Sequence, residues 1–128
     1  MAEMTIKKRP KNLDLTTIKL PLPGKVSILH RVSGAGLFIC LPVILWLFSA
    51  SLSSAETYAT FKSVFASLPV KVVLAGLIWA YLHHFCAGVR FLLLDLHIGI
   101  DKETANKSAV GVLAVSIPLT VIFWGVLL

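Results

Sequence analysis

Three stretches of this sequence are almost continuously apolar, at about residues 28–48, 69–94 and 109–128. Some 20 helical residues at 1.5 Å rise each cross a hydrocarbon core of ~30 Å, so each stretch predicts a membrane-spanning helix. Residues 1–27 are polar and basic, and Pro10, Pro21 and Pro23 discourage a long helix there. They read as an irregular arm with a short interfacial segment around Leu13–Leu20. Pro42 should kink the first span by freeing the carbonyl of Phe38, Pro69 suits a first helical turn, and Pro118 interrupts the third span. The expected fold is all-α: an arm over 1–27 and a three-helix transmembrane domain over 28–128. The basic flank and Ser49-Ala50-Ser51 imitate a cleaved signal peptide, but the arm is too long and two more spans follow. Acidic Glu3 and Asp14, with no serine before Ser27, argue against a mitochondrial transit peptide.

Composition agrees. Of 128 residues, 57% are hydrophobic and 14% charged, with mean hydropathy +0.88, against about 45–50% and roughly 25% in soluble domains. One small unit of this kind has no room for a self-contained enzyme with a polar cleft. The net charge of +6 is unevenly placed: Lys7, Lys8, Arg9, Lys11, Lys19, Lys25 and Arg31 lie in the first 31 positions. With Arg90, Lys102 and Lys107 they make ten basic residues on one side of the membrane, against Lys62 and Lys71 on the other. The positive-inside rule then places the N-terminus and residues 95–108 in the cytoplasm and the C-terminus outside. The basic residues lack interleaved aromatics, which excludes nucleic acid as the partner. Cys40 and Cys86 sit in apolar runs as packing residues, without a disulfide framework or zinc spacing. Gly111, Ser116 and Gly125 offer weak sites for close helix contact in the third span.

Ionisable groups at membrane depth are costly and carry the functional signal. They are His30 and Arg31 in the first span and His83, His84 and Arg90 in the second, with Asp95 closing that helix. All fall in the cytoplasmic half. Iron takes a neutral imidazole, and a porphyrin needs a helix face free of bulk. His84 has Ala80 one turn before it and Ala87 and Gly88 one turn after, whereas His83 points about 100° away, toward Trp79 and Cys86. His84 is therefore the preferred haem ligand. The competing reading has both histidines hydrogen-bonding to a neighbouring helix. His30 and Arg31 lie at a depth suited to haem propionates, although an arginine there can equally snorkel to lipid phosphate. Ser27 and Arg31, four apart, can point a hydroxyl and a guanidinium at a quinone carbonyl. No phosphate-binding glycine loop, CxxC or paired intramembrane carboxylates occur, and Ser27 with His30 lacks the oxyanion hole and acid of a hydrolase.

The segments Arg9-Pro10-Lys11-Asn12-Leu13-Asp14-Leu15, Ser27-Ile28-Leu29-His30-Arg31-Val32-Ser33-Gly34 and His84-x-x-x-Gly88-Val89-Arg90 followed by Asp95 resemble the cytochrome b556 membrane anchors of succinate dehydrogenase. The similarity runs through the whole chain, and the bacterial form fits best because the chain opens directly on the short arm. The resemblance implies a subunit of respiratory complex II in a bacterial inner membrane, serving the tricarboxylic acid cycle. Its partners would be a flavoprotein, an iron–sulfur subunit and a second three-helix anchor. The two anchors would share one haem b and a site that reduces ubiquinone. His84 looks like the axial ligand, its other ring nitrogen then free to donate to the Ala80 carbonyl; His30 and Arg31 look like propionate contacts, and Ser27 and Arg31 like quinone contacts. Phe91 stands where family members often have histidine, which removes a polar contact from that turn. The alternatives are a fumarate reductase anchor and a haem-free structural anchor; a transporter is disfavoured because no span holds a carboxylate.

Overall fold

The computed structural model describes residues 17–127. They form four helices: α1 (Leu22–Ser53), α2 (Ala55–Ala66), α3 (Leu68–Asp95) and α4 (Lys102–Leu127). Three of these, α1, α3 and α4, are long and apolar enough to cross a membrane, and no strand occurs among the described residues.

Helix α1 starts earlier than its apolar run suggests. Pro21 occupies the N-cap and Pro23 falls in the first turn, where a missing N–H costs nothing because those donors have no helical acceptor anyway. Pro21 and Pro23, expected to discourage a long helix in the arm, instead start one, and Ser27, His30 and Arg31 all stand on it. Residues 17–20 are non-helical; the rest of the expected interfacial segment, and the basic cluster at 7–11, lie outside the described residues. α1 then continues through Pro42 to Ser53, and α4 through Pro118.

Helix α2 is an element the apolar runs did not predict. Ser54 and Thr57 close a capping box, with Thr57 N–H donating to Ser54 Oγ at 3.1 Å and Ser54 N–H to Thr57 Oγ1 at 3.0 Å. Tyr58, Phe61 and Phe65 then stack along one face, with centroids 6.5 and 4.0 Å apart. α3 follows at once, Pro69 in its first turn as expected.

The α3–α4 connection ends α3 with a Schellman turn: His97 N–H donates to Leu94 O and Ile98 N–H to Leu93 O. The left-handed residue that this turn needs is His97 (φ 61°), and Gly99 adopts φ 74°. Asp101 then caps α4, its Oδ1 accepting from Thr104 N–H at 2.9 Å.

Burial is concentrated at one end. Val26 of α1, Ala87 of α3 and Ala109 and Val112 of α4 form the apolar core, with Leu22, Cys86, Phe91 and Leu113 against it. The start of α1, the end of α3 and the start of α4 therefore converge. On α4 the buried seam is Ala109, Val112 and Ser116; a Cβ added at Gly111 or Gly125 would meet nothing within 4 Å, so neither glycine makes the close contact expected of it. Toward the opposite end the helices splay around an apolar cavity of about 920 Å³, bounded by residues such as Cys40, Phe61 and Tyr81.

Candidate functional site

Next to the buried core, α1 and α3 bring two histidines into contact. The rings of His30 and His84 stack with centroids 4.1 Å apart and planes 8° from parallel. They meet because each faces a glycine on the other helix. A Cβ at Gly34 would lie 2.6 Å from His84 Cε1, and one at Gly88 would lie 3.6 Å from His30 Nε2. Two of the small residues beside His84 receive α1: Ala87 is wholly buried in the core, and Gly88 lies beneath His30.

The contacts of His84 define its tautomer. Its Nδ1 lies 3.0 Å from the backbone carbonyl of His30 and 3.3 Å from Ser33 Oγ. A carbonyl only accepts, so Nδ1 carries the proton. Ser33 Oγ–H donates to the same carbonyl at 3.0 Å. The acceptor for His84 is therefore on the neighbouring helix, and not the Ala80 carbonyl of its own preceding turn. Nε2 has no hydrogen bond among the described residues, and in the neutral ring it carries the lone pair. It is not sealed inside either, since among the described residues the buried ring nitrogens without a partner belong to His83.

His83 is the contrasting case. It is fully buried and stacks on Trp79, with centroids 5.1 Å apart, as the 100° offset predicts. The Val26 carbonyl faces its ring without reaching hydrogen-bond geometry, so both nitrogens are unpartnered. The contacts of Arg90 with Ser108 and Ala105 fix an antiparallel α3–α4 register. Extended by two turns, that register sets Ser116, also buried and unpartnered, level with His83.

Ser27 and Arg31 are one turn apart on α1, the first half-buried and the second exposed. No hydrogen bond joins them among the described residues. Phe91 fills its turn with an apolar ring 5.1 Å from His30. Cys40 and Cys86 are free and half-buried. Sequence reasoning missed Ser33 and Gly34, the residues that orient His84. Their signal was present, because a hydroxyl and a bare backbone one turn beyond His30 face whatever His30 faces.

A haem ligand needs an imidazole with one free nitrogen and a second nitrogen fixed by an acceptor. His84 meets both conditions. No group of three or more His, Cys, Asp or Glu side chains that suits a chelated metal ion occurs among the described residues.

Fold and site together define a multi-pass helical membrane protein with one oriented histidine near the convergent end of its bundle. Residues 5–123 match the family described as succinate dehydrogenase/fumarate reductase transmembrane subunit. Similar relatives are the succinate dehydrogenase cytochrome b556 subunits of Paracoccus denitrificans (32% identical, covering 95% of this chain and 94% of the relative) and Coxiella burnetii (36%, covering 85% and 88%). That of Rickettsia bellii is 28% identical over 91% of each chain. The chain belongs to the succinate dehydrogenase/fumarate reductase transmembrane subunit family.

Proposed function

We propose that this chain is the haem-binding membrane anchor of a succinate dehydrogenase, and that it contributes to the site where ubiquinone is reduced. The observation that carries this reading is the Nδ1–H of His84 held on the His30 carbonyl, which presents Nε2 for iron. Haem b, held by His84 and by a ligand from a second anchor, supplies a one-electron store within the membrane. The names of the relatives favour succinate oxidation over fumarate reduction. A flavoprotein and an iron–sulfur subunit dock on the convergent, basic end, which faces the cytoplasm of a bacterial inner membrane.

This chain's own residues have separable tasks. His30 stabilises the ring of His84 by stacking and supplies its carbonyl acceptor. Beside it, His30 and Arg31 offer donors to the propionates. The Arg31 guanidinium, exposed on α1, donates to a quinone carbonyl and favours the charge that builds on that oxygen during reduction. Ser27, one turn away, donates a second hydrogen bond and can pass a proton.

The test uses the assembled complex purified through this chain. A dithionite-reduced minus oxidised spectrum should show a b-type signal that His84→Ala abolishes and His83→Phe retains. No signal in the wild type overturns the haem reading. Ser27→Ala and Arg31→Leu should lower succinate–quinone reductase activity by at least about tenfold, a loss of about 1.4 kcal/mol in transition-state stabilisation. Succinate oxidation by an artificial acceptor should persist. Unchanged quinone reduction in both variants removes them from the site.

A further inference from the structure

Arg90 is 6% exposed, yet no carboxylate pairs with it among the described residues. Its Nε donates to Ser108 Oγ at 2.9 Å and its Nη2 to the Ala105 carbonyl at 3.2 Å, and the guanidinium lies 5.5 Å from the Phe91 ring centroid. All these partners are neutral. A guanidinium has five N–H donors, so most of its capacity, and its whole charge, is unmatched by the protein. A buried cation is strongly destabilising without a counter-anion. Arg90 also lines a groove of about 310 Å³ between α3 and α4. We propose that this groove binds a membrane phospholipid, its phosphate paired with Arg90 and its acyl chain lying along the groove.

The polarity of the groove matches that amphiphile and its orientation. Arg90 lies five residues before the end of α3, roughly 7 Å along its axis, near the level of lipid phosphates. Arg90 and Ser108 form the polar end. From there Phe85 and Val115 extend the walls roughly 10 Å toward the middle of the membrane at 1.5 Å per residue. Only hydrocarbon side chains and the Cys86 thiol line that part. At about 30 Å³ per water-sized group, the groove holds about ten, enough for a phosphate and the first methylenes of one chain. Planar guanidinium suits the two free oxygens of a phosphodiester in a bidentate pair. Gly111 keeps the groove open, because a side chain there would project into unfilled space.

The groove also faces away from the haem side. At 100° per residue, Val89, Cys86 and Leu93 point 140–200° from His84 around α3. This step rests on the proposed function: a second anchor that shares the haem packs on the His84 side, which leaves the groove to lipid.

The test places the purified complex in nanodiscs of equimolar phosphatidylglycerol and phosphatidylethanolamine. After detergent washing, native mass spectrometry counts the phospholipids that remain. The wild type should hold one phospholipid that is absent from both Arg90→Gln and Gly111→Leu, with subunit content and haem spectrum unchanged. Gly111→Leu fills the groove without altering its charge, so it decides the question alone if Arg90→Gln fails to assemble. Equal retention in wild type and Gly111→Leu overturns the proposal. So does loss of the second anchor from Gly111→Leu, which assigns the groove to a carboxylate of a partner chain. A wild-type complex without a b-type signal sinks the haem reading alone, because the lipid count does not depend on it.

Discussion

The position of one imidazole depends on an atom that is missing from the sequence: the Cβ of residue 34. Gly34→Ala would set a methyl group 2.6 Å from His84 Cε1, far inside van der Waals contact. The ring must then turn, which breaks its 3.0 Å bond to the His30 carbonyl. Loss of such an outer partner typically costs about 10–100-fold in metal affinity. Haem per complex, measured by the pyridine haemochrome of Gly34→Ala after dilution, should fall in that range, although no ligand has been touched. Retained haem would mean that α1 yields and that the glycine is only a packing residue. At this scale the sequence was partly legible. The preference for His84 over His83 came from the small residues around it, and the structure does distinguish the two rings. That Ala87 and Gly88 receive α1 was not legible, because periodicity reports that a face is smooth and not which surface lies on it.

At the scale of elements, the three long helices were legible because twenty apolar residues in a row permit few other structures. α2 was not, since its signal is local: a capping box at Ser54 and Thr57 and an aromatic ladder, with no apolar run. The turn between α3 and α4 carries two checks. His97 holds a left-handed conformation that disfavours any residue with a Cβ by roughly 1 kcal/mol. His97→Gly should relieve this and slow amide exchange at Ile98 about fivefold, the factor equivalent to 1 kcal/mol. Asp101, the cap of α4, has its carboxyl pKa held below the ordinary 3.8, first by the Thr104 backbone N–H and then by the Thr104 side chain. A carboxylate stabilised in the folded state contributes fully above its unfolded pKa and loses that contribution as pH falls through the lowered value. The protection of Thr104 N–H, corrected for intrinsic exchange, should hold at pH 5 and above and decline only below about pH 4. In Asp101→Ala it should be low throughout.

For the whole molecule, charge and burial point the same way. Lys25, Arg31, Arg90, Lys102 and Lys107 cluster at the convergent end, with Lys62 and Lys71 toward the other. If that end is cytoplasmic, a membrane-impermeant maleimide should label Ser63→Cys from outside intact cells and Lys102→Cys only after the membrane is opened. The reverse pattern would invert the topology and move the soluble partners to the other face. Orientation was readable from charge counts because lysine and arginine act individually at the surface. The paired rings were not, because they require two helices to be placed in register.

The division between a packed end and a splayed end has a further consequence. Where α1, α3 and α4 converge, order comes from the chain's own contacts; around the 920 Å³ cavity none of the lining side chains is buried by the chain itself. A melting temperature would then be no fixed property of this polypeptide. It would rise and fall with the length and order of the acyl chains supplied, the splayed half responding to the bilayer while the imidazole pair keeps its place.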